Sequence, residues 1–278
     1  MTIKMVVCDL DNTLLNEEGR VSKENLAAIH SLMTQGGHFV AASGRTINQM
    51  EQVLVNLGTI NRENCYSITM NGGVVIENKK NRKLAHSYFT YRELYQLFAF
   101  AQREGVCLHF QTDELIYLFH PSAAELKYLD TQQLDYVVIE EDQLTYLKNE
   151  KVGKVLYQHD DIDYLKDLSV ILKDYCEGDL TISYSANRYM EINCGRDISK
   201  AQGIKLLAGH LKISLTEVLA IGDNYNDLEM VELAGFSACP SNAIAELRQH
   251  CDYISKKSCN QHAVADILSH YRQINQLK

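Results

Sequence analysis

Residues 6–15 read VVCDLDNTLL, an apolar run that ends in two aspartates, Asp9 and Asp11, one residue apart. Like charges this close repel, and burying either carboxylate is costly unless an opposite charge compensates it. A cation would resolve that conflict, and other stretches carry the residue types to complete its site. Ser43-Gly44-Arg45 offers a hydroxyl, a side-chain-free backbone and a guanidinium, a set suited to phosphate oxygens. The turn-like stretch Gly222-Asp223-Asn224-Tyr225-Asn226-Asp227 adds two more carboxylates, and Lys200, directly after Ser199, adds a positive charge.

These stretches need a scaffold that gathers them, and the flanking pattern supplies one. Lys4 to Asp9 is a near-continuous apolar strand of the kind buried on both faces. A helix follows from Ser22, whose side chain caps it. Val21 and Leu26 form its staple, Ile29 and Met33 its stripe, and Gly36-Gly37 its end. HFVAAS is a second strand, Ile47, Met50, Leu54 and Leu57 mark a second helix stopped by Gly58, and CYSITMNGG carries a third strand. This βαβαβ grammar predicts a parallel sheet with helices on its faces. It returns near the end, in a helix capped by Ser199 with Ile204, Leu207 and Leu211, the strand EVLAIGDN, the short helix NDLEMVELAG, short strands in FSACP and DYISKK, and the terminal helix AVADILSHY. In open parallel sheets ligands bind at the carboxyl ends of the strands, so Asp9, Ser43 and Asp223 converge there despite their separation in sequence.

Between residues 82 and 189 the texture changes. Tyrosines become frequent, the strands LIYLF, DYVVI and KVLYQ look amphipathic, and helices run from Tyr91 to Glu104 and from Asp161 to Tyr175. Tyr91, Tyr95 and Phe98 form a stripe expected to pack on a sheet. This segment reads as an α+β domain inserted into an α/β one, so the expected division is 1–81 with 190–278 as the core and 82–189 as the insert. The 278 residues, 46% hydrophobic and 23% charged, suit such a soluble two-part chain. A net charge of −9 speaks against binding nucleic acid or an anionic membrane surface. No stretch approaches the roughly 20 apolar residues of a membrane span. The eight cysteines form no CxxC pair, and the N-terminus lacks a signal-peptide pattern, so reduced thiols in the cytoplasm are expected.

The order DxDxT, SGR, a lysine and GDxxxD, with an insertion between the second and third, resembles the haloacid dehalogenase superfamily of phosphotransferases. MNGG at 70–73, SKAQG at 199–203 and GDNYNDLEM resemble its Cof-type sugar-phosphate phosphatases. That resemblance spans essentially the whole chain and implies a Rossmann-like parallel-sheet core with an inserted α+β cap of the C2 type. It makes Asp9 the nucleophile that forms an aspartyl-phosphate, and Asp11 the acid that protonates the leaving alcohol and then deprotonates water. It implies Mg²⁺ held by Asp9, the backbone carbonyl of Asp11 and Asp223, with Asp227 and Thr13 behind them. Ser43 and the backbone N–H groups of Leu10 and Gly44 would bind the phosphoryl oxygens, Lys200 would neutralise them, and Arg45 and Asn226 would line the phosphate or leaving-group side.

The reading is a Mg²⁺-dependent hydrolase of small phosphate esters that needs no protein partner. A phosphomutase and a non-catalytic phosphosugar sensor are the alternatives, and a sensor would have no use for an acid/base at Asp11. Asn71-Gly72-Gly73 reads either as a tight turn or as part of the site, and Asn224 as a loop-shaping residue. His250, Cys251, Cys259 and His262 lack the spacing of a zinc site. Gln261-His262-Ala263-Val264 departs from the family's usual Asp/Glu-Gly-Val, and ACPSNA at 238–243 from its usual Met-containing segment. The first departure falls on the expected rim of the site and bears on leaving-group preference.

Overall fold

The computed structural model describes residues 3–176, 178–195 and 198–276, which form two compact units, one of residues up to 85 together with 199 onward and one of 86–198. Arg196 and Asp197, just before the Ser199 cap, lie outside the described residues. All eight cysteines are free, and among the described residues no helix is long and apolar enough to cross a membrane.

The first unit starts with β1 (Met5–Asp9), α1 (Lys23–Thr34), β2 (His38–Ala42), α2 (Ile47–Leu57), β3 (Tyr66–Thr69), β4 (Val74–Glu77) and β5 (Arg82–His86). After the insert it resumes with α6 (Lys200–Leu211), β12 (Val218–Ile221), α7 (Leu228–Leu233), β13 (Phe236–Cys239), α8 (Ala245–Gln249), β14 (Tyr253–Ile254) and α9 (Ala263–Gln276). Ser22 and Thr46 cap α1 and α2 through their side chains, and Gly58 ends α2 in the left-handed conformation. The sheet order is β14-β13-β12-β1-β2-β3-β4-β5. From β14 to β3 its neighbours pair in parallel, and β4 returns antiparallel to β3. β1 lies in the middle, every residue buried, as its unbroken apolar run requires. On one face α6 lays Ile204, Leu207 and Ala208 against Val7, Val40 and Ile68.

This topology does the positioning. Asp9 stands opposite Ala42 of β2, and Cys8 stands opposite Ile221 of β12. The residues that follow these three strands, 10–13, 43–45 and 222–227, therefore leave the sheet side by side. The chain after β3 joins them: Asn71 N–H donates to the Ser43 carbonyl at 3.0 Å, and Met70 N–H to the Arg45 carbonyl at 3.0 Å.

The second unit comprises α3 (Tyr91–Glu104), β6 (Cys107–Gln111), β7 (Ile116–Phe119), α4 (Ala123–Thr131), β8 (Tyr136–Val138), β9 (Lys154–Gln158), α5 (Ile162–Tyr175), β10 (Leu180–Ser185) and β11 (Tyr189–Cys194). Its sheet runs β10-β11-β9-β6-β7-β8, antiparallel except for the β7–β8 pair. α3 and α5 bury Leu97, Phe100, Leu165 and Leu172 against Leu108, Phe110, Val155, Tyr157 and Ile192. The stripe expected through Tyr95 is displaced: Leu94, Leu97, Phe98 and Ala101 face the core, and Tyr95 is 56% exposed.

Both junctions differ from the expected 82 and 189. Arg82–His86 continues the edge of the first sheet as β5, and Tyr189–Cys194 pairs with β9 and β10 as β11. Arg82, Lys83 and His86 in β5, and Glu191 and Asn193 in β11, interrupt the apolar runs on which a sequence reading depends.

Met70, Asn71 and Gly72 all have positive φ, at 50°, 54° and 97°, an uncommon run of left-handed residues. A Cβ on Gly72 would lie 2.0 Å from the Ser199 carbonyl oxygen, so only glycine lets this loop pass the start of α6. Gly72→Ala should therefore cost about 1–3 kcal/mol of stability, as overpacking does. Urea unfolding checks this, with an unchanged m-value and a lowered midpoint expected.

Candidate active site

Lys200, the first residue of α6, is completely buried, and its ammonium lies 2.5 Å from Asp9 Oδ1 and 2.7 Å from Asp227 Oδ1. The other oxygen of Asp227 accepts N–H bonds from Asp223 at 2.9 Å and Asn224 at 3.2 Å, so both of its oxygens are engaged. That inward fold of Asp227 depends on Gly222, where a Cβ would lie 2.5 Å from the Asp227 side chain. Asn224 accepts the Tyr225 N–H at 2.8 Å and so shapes the turn, and Thr13 Oγ1 donates to Asp223 Oδ1 at 3.2 Å.

Oxygens of Asp9, Asp223 and Asp227 lie within 4.8 Å of one another, all three residues buried. One ammonium faces three carboxylates. Burial, helped by Asp227 and Asp223, holds the Asp9 carboxyl well above its usual range despite Lys200. Burial also pushes Asp223 up to about 7, with Asp227 adding to it and Thr13 opposing. For Lys200 burial works against the charge, but Asp227 and Asp9 outweigh it and keep the ammonium protonated. The formal excess of two negative charges is what a divalent cation would neutralise. Both Asp227 oxygens are taken up by Lys200 and backbone N–H groups, which leaves Asp9 and Asp223 as the residues that could hold such a cation.

Around this core the remaining residues take distinct positions. Leu10 is fully buried, and its carbonyl accepts the N–H groups of Thr13, Leu14 and Leu15, which closes the turn after β1. Ser43 is buried and Gly44 packs against the Asn71 amide. Asn226 is exposed on the same short turn as Asp227. Asp11 stands apart from the acid cluster: its side chain is 55% exposed and meets Arg45 in a fork, Nη2 to Oδ1 at 2.5 Å and Nε to Oδ2 at 3.1 Å. The guanidinium expected on the phosphate or leaving-group side is engaged by a carboxylate.

Sequence reading passed over Asn242. Its Nδ2 donates to the Asn12 carbonyl at 2.8 Å, and its Oδ1 accepts the Cys259 N–H at 2.8 Å. Two residues on, Ile244 N–H donates to the Asp223 carbonyl at 2.9 Å. The loop after β13 thus braces the turns after both β1 and β12. Its amide, in the segment flagged only as atypical, was the available signal. The 259–262 stretch reaches the chain just beyond the turn after β1, since Asn260 accepts the Glu17 N–H at 3.1 Å. His262 faces Glu24 at 3.3 Å and His250 faces Glu232 at 2.9 Å.

A model of the haloacid dehalogenase-like hydrolases matches residues 6–268. YxeH of Bacillus subtilis (strain 168), a protein to which phosphatase activity is attributed, is 29% identical over 266 residues, covering 94% of this chain and 96% of that one. HMP-PP phosphatase of Yersinia pseudotuberculosis is 25% identical over 279 residues, covering 96% and 95%. In fold, the chain is similar to the subclass IIB sugar phosphatase BT4131, with a TM-score of 0.80 at 19% identity over 97% of this chain and 99% of that one.

The acid cluster sets a pH dependence. Because Asp223 is raised from 3.8 to about 7, the folded protein retains a proton that the unfolded chain has released between those values. Without a cation, this contribution makes stability fall as pH rises through that window. A divalent cation bound by the ionised cluster should reverse the trend. Thermal melts with EDTA or added Mg²⁺ should show a larger Mg²⁺ increment at about pH 8 than at about pH 5, and Asp223→Asn should remove most of it. An increment independent of pH would place the cation elsewhere.

Proposed function

The chain belongs to the haloacid dehalogenase-like hydrolases, and from that premise we propose that it is a Mg²⁺-dependent phosphatase of small phosphorylated metabolites, sugar phosphates foremost, working through an aspartyl-phosphate on Asp9. One observation carries the reading. Asp9 is buried, held by Lys200 and within a cation's reach of Asp223, while Asp11, two residues on, is exposed and outside the acid cluster. Two neighbouring carboxylates in such different surroundings suit two roles.

In the first half, an Asp9 oxygen bonds to phosphorus as the ester P–O bond breaks, and Asp11 gives a proton to the departing alcohol. In the second, a water oxygen bonds to phosphorus, its proton passes to Asp11, and the Asp9–phosphorus bond breaks. Lys200, already beside Asp9, balances charge on the phosphoryl oxygens, and the buried Ser43 with the loop N–H groups of Leu10 and Gly44 holds them. Mg²⁺ bound by Asp9, Asp223 and the Asp11 carbonyl would neutralise the incoming dianion. The names of the relatives, phosphatases both, support phosphate-ester chemistry. All these residues lie in the first unit, so the inserted unit is left to choose among alcohols. The free thiols and the acidic charge fit a cytoplasmic setting.

Asp9→Asn should abolish phosphate release while the protein melts as a folded species. A variant with a tenth of wild-type rate would remove Asp9 as nucleophile. Asp11→Asn should lose about 10²–10⁴ in rate on sugar phosphates and clearly less on an aryl phosphate, whose leaving group needs no proton. Parallel assays of the two esters check this, and equal losses would count against proton donation by Asp11.

Exchanging residues 86–198 for the corresponding segment of a related phosphatase should reorder kcat/KM among sugar phosphates and change aryl phosphate turnover much less. A folded chimera with the original order would return the choice of alcohol to the first unit.

A further inference from the structure

The Asp11–Arg45 fork is built more firmly than an exposed ion pair requires. Surface pairs contribute little and are usually loosely held unless the geometry is bidentate and anchored. Here Arg45 is fixed at both ends. Its backbone N–H donates to Ser43 Oγ at 3.2 Å and its carbonyl accepts the Met70 N–H at 3.0 Å. At the far end Nη1 donates to the Gln49 carbonyl at 3.4 Å. Gln49 is itself locked in the capping box of α2, its Oε1 accepting the Thr46 N–H at 2.9 Å and its N–H reaching Thr46 Oγ1 at 3.3 Å. The guanidinium therefore presents a fixed plane to Asp11, whose two oxygens it meets through Nη2 and Nε. A carboxylate has about four lone-pair directions, so a two-point grip leaves two for a leaving-group oxygen or a water. Within the SGR stretch, Ser43 is buried and Arg45 turns to Asp11.

We propose that Arg45 is a positioning residue for Asp11: it fixes the plane of that carboxylate for proton transfer and does not itself bind the phosphoryl group. This rests on the phosphatase reading above. The protons move as already described, from Asp11 to the departing alcohol and from water back to Asp11, and Arg45 exchanges none. Lysine would not replace it, because a single ammonium cannot hold both oxygens in one plane.

A double-mutant cycle tests the assignment, with kcat and KM measured on a sugar phosphate and on p-nitrophenyl phosphate. Arg45→Ala should lower kcat on the sugar phosphate by about 10²-fold, the scale of a misplaced catalytic group, with little change in KM. Arg45→Lys should recover only a small part of that loss. In an Asp11→Asn background, Arg45→Ala should cost less than about threefold more, because its target has gone. Binding of inorganic phosphate to the Mg²⁺-loaded protein, followed by the shift in melting temperature, should be the same in Arg45→Ala as in wild type. Losses that multiply in the double variant, or phosphate binding weakened tenfold or more by Arg45→Ala, would overturn the proposal and make Arg45 a phosphate ligand. Failure of the phosphatase reading looks different, since the wild-type protein would then release phosphate from neither ester.

Discussion

Three carboxylates facing a single ammonium, away from water, is the constraint to which the rest of the first unit answers. Desolvation makes such a cluster unfavourable by itself, so each member is held by something stronger than its own preference. Lys200 is supplied from the first turn of a helix that the sheet pins through Ile204 and Leu207. Asp227 is drawn over the end of β12 by two backbone N–H groups, a fold-back that only the bare Gly222 permits. Asp223 is steadied by Thr13 from the turn after β1. The parallel sheet brings these turns together, and the excess of negative charge it gathers is what the proposed divalent cation would neutralise.

The same site keeps its two reactive carboxylates in unlike media. Asp9 ends a strand buried on both faces, whereas Asp11, on the turn that follows, points to solvent and into a guanidinium fork. In the proposed reaction these two carboxylates would serve as nucleophile and proton carrier, one residue of chain apart, the first set by burial and the second by the guanidinium it meets. The left-handed run from Met70 to Gly72 ties the loop bearing Ser43 and Arg45 to the start of α6, so Ser43, Arg45 and Lys200 share one frame.

Much of this was legible from residue types. Asp9, Ser43 and Asp223 announce themselves because strands end where they begin, and strand ends are where a parallel sheet gathers ligands, while Lys200 stands out as the first residue of the helix capped by Ser199. The helices read well for local reasons too: Ser22 and Ser199, expected as caps, hold the first turns of α1 and α6 through their side chains. What stayed hidden depended on contacts across the chain. The partner of Arg45 is a matter of where a long side chain is tethered, and periodicity does not encode that. Asn242 is one amide in a loop, and its importance comes from meeting Asn12 and Cys259, both distant in sequence. β5 and β11 carry polar residues because their neighbours in the sheets make them strands.

The pairing of β1 with β12 has a consequence for how the protein is made. Met5 lies beside Val218, with the whole second unit encoded between them. On a ribosome, β1 therefore emerges with β2 on one side and an unpaired apolar edge on the other, and it stays so while the insert, which has its own core, is synthesised. Lys200, Asp223 and Asp227 arrive only with the strand that closes that edge. Completing the sheet and gathering the acid cluster are one late event, so a nascent or truncated chain carries Asp9 without Lys200, Asp223 or Asp227 beside it.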